Sequence, residues 1–204
     1  VRPLRSRAAP LSFARQGHAA MLAFSLLVSL SFSLGHLIAN QIAPAALMTL
    51  RFALASLVMI GVVRVFGVAI APVFARFWRF LLIGGCMAVY FITMFEALRI
   101  STTRSTAAVR FEIGRGEAIF AIGAVAHGAV PVLSRKLLGD VTPLQAALGT
   151  TVGALIVSGA YGFSDLVAVP FQSLPAQVWL VLLYLAVVTT AVTFFLVHYA
   201  SNRL

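Results

Sequence analysis

Six long apolar runs constrain this chain more than any other feature of its sequence. Each approaches the roughly 20 residues that an α-helix needs to cross about 30 Å of hydrocarbon. Of the 204 residues, 61% are hydrophobic and 10% are charged, too apolar a mixture for a soluble domain. The sequence therefore predicts an all-α transmembrane helix bundle that contacts the lipid bilayer. The runs cover residues 19–39, 45–63, 80–98, 118–133, 144–162 and 176–200.

The ends of two runs are open to more than one interpretation. The fourth run is the shortest and has Pro131 near its end, so we expect a helix that is tilted, broken or extended by residues 134–138. The first run follows an arginine-rich tail of the kind that begins a signal peptide, but its apolar part is too long for one. We therefore expect the first helix to be retained.

Positively charged residues predict the direction of the helices. Lysine and arginine collect in cytoplasmic loops, so we place the basic tail, residues 1–17, in the cytoplasm. The connections 40–44 and 163–175 then lie outside and contain no basic residue, whereas connection 99–117 breaks the rule with four arginines. The other basic residues predicted on the cytoplasmic side are Arg64, Arg76, Arg79, Arg135, Lys136 and Arg203.

The residue content argues against several other classes of protein. The net charge of +10 would suit nucleic acid, but the basic residues lie mostly at the ends of apolar runs, so we expect no nucleic-acid partner. A single cysteine, Cys86, excludes a disulfide framework and a cysteine-based zinc site. Hydrolase, zinc-protease and phosphate-loop motifs are missing from the sequence. We therefore predict no catalytic residue, metal or cofactor.

An internal duplication divides the chain in two. Each half has a polar approach to a first helix, a short connection that ends in proline, and a third apolar run that begins near Trp78 or Trp179. We expect a first repeat over residues 18–109 and a second over residues 110–204. The residues matched along the two halves are Gly17 with Gly116, Ala19 with Ala118, Pro44 with Pro143 and Ala55 with Ala154.

The duplication predicts two repeats of inverted topology. Three spans per half is an odd number, so the second half enters the membrane from the opposite side. Two halves related in this way can open a central site to either side in turn, which is how many carriers work. The sequence therefore favours transport, with a substrate site near the midplane between the first, third, fourth and sixth spans.

Four segments follow the pattern of one transporter family. Residues 44–55, PAALMTLRFALA, are similar to the family's second helix with its Arg-Phe step. Residues 95–101, FEALRIS, and 105–108, STAA, are similar to the end of its third helix and the start of its fourth. Residues 114–143 resemble the start of its second repeat. On these segments the chain resembles the EamA-type branch of the drug/metabolite transporter superfamily.

The resemblance implies a larger bundle than six spans. Members of the family usually have ten helices, five in each repeat, with both ends in the cytoplasm. Here residues 107–109 are followed directly by a segment that resembles the approach to a sixth helix. We therefore expect helices to be missing between Val109 and Arg110 and beyond Leu204, so that both repeats are incomplete.

The resemblance also implies a function. We expect a secondary transporter that moves a small organic metabolite or drug across the bacterial inner membrane by alternating access. Coupling to protons and exchange of one solute for another are both open. One alternative is a non-transporting remnant or assembly partner derived from such a carrier. Another is an intramembrane enzyme, which the missing motifs disfavour.

Ionisable residues within a span are costly, by about 2.5–3.5 kcal/mol, and so are candidate site residues. We expect Arg51 to contact an anionic group of the substrate or Glu96, or else to bridge loop carbonyls. For Glu96 the alternatives are proton coupling, binding of a substrate cation, or an interfacial ion pair with Arg99. His127 lies midway along the fourth run, where it would couple protons or bond as a neutral side chain to a facing helix.

Other polar residues are predicted near the transport path. Tyr90, midway along the third run, would line the path or simply pack. His36 and Asn40 at the outer end of the first helix, and His198 at the inner end of the last, would line gates or cap the interfaces. Small residues predict close contacts between helices. The glycines concerned are Gly84, Gly85, Gly123, Gly149 and Gly153.

Overall fold

The computed structural model describes residues 11–38, 40–104 and 114–201. These residues form helices and short connections, with no strand among them, which confirms the predicted all-α class. The helices, in chain order, are α1 (Leu11–Ile38), α2 (Pro44–Val65), α3 (Ala71–Ala75), α4 (Phe77–Arg104), α5 (Arg115–Leu137), α6 (Pro143–Val167), α7 (Ala176–Ala186) and α8 (Thr193–Ser201).

Six helical segments of the described chain are long and apolar enough to cross a membrane. The last of them combines α7, a π-helical turn at Val187–Val192 and α8. The fourth continues past Pro131 to Leu137, so the predicted extension is confirmed and the helix is not broken at the proline. A proline removes one backbone hydrogen bond, and membrane helices tolerate that loss. The spans are Arg15–Gly35, Pro44–Val65, Phe77–Ile100, Arg115–Leu137, Pro143–Val167 and Ala176–Ala200.

Several predictions concern parts of the chain that lie outside the described residues. They are most of the basic tail, the repeat boundary between Val109 and Arg110, the C-terminal residues 202–204 and the side chain of His36.

The second helix of each half begins at a proline. Pro44 and Pro143 occupy the first turn of α2 and α6, where the missing N–H costs nothing. Thr142 and Gln145 also form a capping box, because each side chain accepts a hydrogen bond from the backbone N–H of the other. These signals explain why both helices begin where the sequence predicts.

Contacts along the helices show that α2 and α6 are antiparallel. Ala45, near the start of α2, lies against Gly162, near the end of α6. Leu144, at the start of α6, shares a groove with Val62 and Phe66 at the end of α2. The corresponding helices of the two halves therefore run in opposite directions.

The other helices complete the inverted arrangement. Helix α4 is parallel to α6, since Phe80 packs on Gly149 and the later Gly85 faces Val157. Helix α5 is antiparallel to α4, since Gly116, early in α5, lies near Ala97, late in α4. Helix α1 is antiparallel to the last span, because Tyr199 Oη donates a hydrogen bond to Gln16. Each half thus repeats the plan of the other upside down.

Two ends of the bundle can now be distinguished. At one end, which we call the Asp140 end, α2 and α5 finish and α4 and α6 begin. Arg76 forms an ion pair with Asp140 there, and Arg79 donates a 2.9 Å hydrogen bond to the carbonyl of Leu137. The opposite end, which we call the Asn40 end, contains the α1–α2 and α6–α7 connections. Five of the basic residues predicted on the cytoplasmic side therefore lie at the Asp140 end: Arg64, Arg76, Arg79, Arg135 and Lys136.

The buried core lies between α2, α4, α6 and the last span. Helices α1 and α5, which are equivalent in the two halves, lie at its edge and expose large apolar side chains such as Leu22 and Val125. An apolar exterior of this kind is stable in lipid and not in water. The fold therefore surrounds a central region formed by residues from both halves.

Candidate substrate site

Arg51 lies in the centre of the bundle and joins the two halves. Its side chain is fully buried. The guanidinium Nε donates a hydrogen bond to Thr190 Oγ1, and Nη2 donates 2.9 Å bonds to both Oγ1 and the carbonyl of Thr189. A cation of the first half is therefore held by two threonines of the second.

The charge of Arg51 is not balanced by any acid in the part of the chain that the structure describes. The ion pairs found there join Arg76 and Arg79 to Asp140. Arg51 Nη1 is buried and has no hydrogen-bond partner. A buried guanidinium surrounded by neutral groups is costly, because no described acid supplies a counter-charge in place of its hydration. This nitrogen therefore offers a donor to an acceptor that the described residues do not supply.

The π-helical turn at Val187–Val192 presents both threonines to Arg51. Within this wider turn, the side-chain hydroxyl Thr190 Oγ1 donates a 2.9 Å hydrogen bond to the carbonyl of Leu185, five residues earlier. Thr193 Oγ1 in turn donates to the carbonyl of Thr189 at 2.8 Å. Single π turns inside α-helices often occur at functional sites. Here the turn brings adjacent threonines to one guanidinium.

Aromatic rings cover the other side of the guanidinium. The carbon Cζ of Arg51 lies 4.1 Å from the centroid of the Phe91 ring, within the range of a cation–π interaction. Phe91 also packs against Phe52 and Phe194, with centroids 5.9 and 6.4 Å away. Phe52, Phe91 and Phe194 form what we call the phenylalanine cluster. It excludes water from Arg51 and strengthens electrostatic interactions at that point.

Tyr90 and His127 lie together, as part of a stack that continues from Phe91. The rings of Tyr90 and Phe91 are 4.9 Å apart, and those of Tyr90 and His127 are 4.3 Å apart. His127 also stacks on Phe24 of α1 at 5.9 Å. Two of the predicted site residues therefore adjoin the Arg51 region through ring contacts.

The remaining predicted residues lie apart from Arg51. His198 is buried near the Asp140 end, where Nε2 and Thr150 Oγ1 are 3.1 Å apart. Glu96 is partly exposed on α4 near the Asn40 end, and Asn40 is exposed in the α1–α2 connection. Among the described residues no ion pair joins Glu96 to Arg51. The threonines take the place that one hypothesis gave to Glu96.

An apolar groove of about 530 Å³ lies next to this centre, towards the Asp140 end. It is lined by the second half of α2, by Leu144 of α6, and by the π turn and α8. Sequence reasoning did not find it, because its valines, alanine and phenylalanines look like those of every other apolar run. Two small residues near it, Ala55 and Ala191, are buried, but the sequence does not distinguish them from other alanines in apolar runs.

The centre contains groups that can bind a solute. No group of three or more potential metal ligands occurs among the described residues. The centre instead contains one unbalanced cation, two hydroxyl groups, several aromatic rings and an adjoining apolar space.

Comparison with known proteins agrees with this description. Residues 114–204, the second half of the chain, match the EamA-like transporter family. No curated protein and no solved structure matches the chain. The second half of the chain is therefore similar to the EamA-like transporter family, which belongs to the drug/metabolite transporter superfamily.

Proposed function

We propose that the protein is a secondary transporter of the bacterial inner membrane, which carries a small organic solute by alternating access. The observation that carries the proposal is the position of Arg51. Its guanidinium comes from one half of an inverted pair and is bonded to Thr189 and Thr190 of the other half. A solute that binds at such a junction contacts both halves, so its affinity depends on their relative position.

The packing of α2 against α6 supports an alternating opening. At the Asn40 end the two helices approach closely, and Ala45 lies against Gly162. Towards the Asp140 end they leave room for the groove. Exchange of conformations between inverted halves would close the groove and open the corresponding space near the Asn40 end.

The distribution of basic residues supports a cytoplasmic Asp140 end. Arg64, Arg76, Arg135 and Lys136 are placed there by the helix directions, and lysine and arginine are enriched on that side of membrane proteins. On this assignment the groove lies towards the cytoplasmic end of the bundle.

The candidate residues take different parts in the proposal. Arg51 binds an acceptor group of the solute, and Tyr90 lines the path beside the phenylalanine cluster. His127 and Glu96 are the candidates for proton coupling, while His36, Asn40 and His198 are candidates for the gates. Proton coupling and solute exchange are both compatible with these assignments.

Transport can be tested in sealed liposomes that contain the purified chain. The liposomes are exposed to a mixture of small organic metabolites, and their contents are identified by mass spectrometry. We expect saturable uptake of at least one solute, reduced at least tenfold in Arg51→Gln, because a hydrogen bond to a charged group contributes about 1.5–3 kcal/mol. Ala160→Phe, on an exposed part of α6, is the control and should transport normally.

One result would contradict the proposal. If no solute enters faster than in protein-free liposomes, although the reconstituted chain keeps its helical circular dichroism, transport by this chain is excluded. A role as an assembly partner would then be favoured.

A further inference from the structure

Arg51 and the groove together indicate the chemical class of the transported solute. We infer that it is an amphiphilic organic anion, whose carboxylate binds Arg51 and whose apolar body occupies the groove. This inference rests on the proposed transport function. It follows from three features of the described residues: the wall of the groove, the helical elements that the groove shares with the Arg51 centre, and the charge balance at Arg51.

The wall of the groove is apolar throughout. On α2 it consists of Val58, Met59, Val62 and Phe66, and the facing wall includes Val187 and other apolar residues of the last span. A space of about 530 Å³ is of the size that holds small organic ligands. Such a wall stabilises hydrocarbon or aromatic groups and offers nothing to a polar body.

The π turn forms both the wall and the polar contacts of Arg51. Thr189 and Thr190 bond to the guanidinium, while Val187, Ala191 and Val192 of the same turn line the groove. A single helical turn therefore borders both the polar centre and the apolar space.

Helix α2 connects the two along one face. Arg51, Ala55, Met59, Val62 and Phe66 follow one another at intervals of three or four residues, which places them in a single stripe. Between Arg51 and Met59 this stripe contains just the small side chain of Ala55, and the helix rises by about 12 Å. Met59, which lines the groove, has a flexible side chain that can change its conformation and let a solute extend towards Arg51.

The charge balance selects an anion. Arg51 Nη1 has no hydrogen-bond partner, and no ion pair among the described residues includes Arg51. A carboxylate would satisfy this nitrogen and neutralise the charge through a strong, charge-assisted hydrogen bond. A neutral solute would leave the cation uncompensated, and an amine would be repelled by it.

A free solute fits this site better than a membrane lipid. Arg51 lies about 10 Å along α2 from its first residue and is completely buried. The phosphate of a lipid lies at headgroup level, outside the hydrocarbon core. A small carboxylate can reach the centre of the bundle without that constraint.

The test measures binding of three probes that differ in their polar group alone: octanoate, octanol and octylamine. The purified chain is studied by calorimetric titration in nanodiscs of neutral phospholipid. We expect octanoate to bind at least tenfold more tightly than octanol, with octylamine the weakest, because an ionic hydrogen bond contributes about 1.5–3 kcal/mol.

Variants separate the polar contact from the groove. Arg51→Gln should remove the preference for octanoate over octanol, while Arg51→Lys, which keeps the charge, should retain part of it. Ala191→Phe fills the groove and should weaken octanoate and octanol alike. Ala160→Phe adds the same ring at an exposed position and should change neither affinity. The melting temperature of each variant shows whether it is folded.

Defined results would overturn the inference. Equal binding of octanoate and octylamine would exclude an anion site, as would an unchanged preference in folded Arg51→Gln. Loss of octanoate binding in nanodiscs with anionic phospholipid would assign the site to lipid. If the chain transports another solute and octanoate does not inhibit that transport, this inference is wrong and the proposed function stands. If octanoate binds but no solute is transported, the proposed function is wrong.

Discussion

At the scale of single residues, the identity of Arg51 matters as much as its charge. Its planar guanidinium directs Nε and Nη2 to two different threonines and presents its face to Phe91. A lysine has one compact ammonium group and cannot make this combination of contacts. The shape of the guanidinium therefore fits the two threonines and the Phe91 ring, and Nη1 stays available to a ligand.

Replacing Thr190 by valine tests the contribution of this geometry to stability. Valine keeps the shape of threonine but removes the acceptor of the Nε hydrogen bond. We expect a loss of about 2 kcal/mol, since bonds to charged groups contribute about 1.5–3 kcal/mol. The melting temperature in detergent should fall by about 4–8 °C. Thr190→Ser keeps the hydroxyl and is the control, and a valine variant as stable as the serine variant would contradict the role of this bond.

The sequence predicts Arg51 as a candidate, but it does not predict its partners. A charged residue two turns inside an apolar run is recognisable from its depth alone. Thr189 and Thr190 are ordinary polar residues of another apolar run, and they are separated from Arg51 by more than half the chain. Their approach depends on tertiary packing and on the π turn. Neither has a periodic signature, because a turn with one extra residue interrupts the regular helical repeat.

At the scale of elements, glycines determine how closely α4 and α6 pack. A Cβ atom at Gly153 would lie 2.2 Å from the carbonyl oxygen of Phe80, and one at Gly84 would lie 2.4 Å from the backbone of Ala154. The two backbones are therefore in contact, as small residues permit in membranes. The sequence predicts this role for glycine, although it does not identify the partner helix.

Gly153→Leu tests that contact. A side chain at this position meets backbone, which cannot move aside as a flexible side chain would. We expect destabilisation of about 1–3 kcal/mol or more, the usual cost of overpacking. Thermal unfolding and the yield of monodisperse protein report it. Gly128→Leu is the matched control, since nothing lies within 4 Å of a Cβ atom there; equal losses in both variants would show that the α4–α6 contact is not special.

At the scale of the whole molecule, inversion follows from the number of spans. The prediction from hydropathy and the matched prolines is confirmed by the antiparallel packing of α2 and α6. Hydropathy predicts the spans reliably, because in hydrocarbon the backbone N–H and C=O groups of each span must form hydrogen bonds within their own helix. The groove depends instead on how helices from both halves approach, which hydropathy does not record.

Labelling of single cysteines tests the inverted topology. In a Cys86→Ala background, Ala69→Cys lies in the α2–α3 connection and Ser173→Cys lies before α7, both at exposed positions. We expect an impermeant maleimide to reach the two cysteines from opposite faces of oriented vesicles. Labelling of both from the same face would contradict the inversion. Detergent-treated vesicles, in which both sites must react, provide the control.

The unpaired charge of Arg51 has a further consequence for the proposed transport across an energised membrane. A unit charge that crosses 100 mV changes in energy by about 2.3 kcal/mol, whereas a neutral complex does not respond. With its site empty the protein carries a net positive centre, and with a carboxylate bound that centre is cancelled. In the proposed cycle, voltage would therefore act on the return of the empty form and not on the passage of the loaded form.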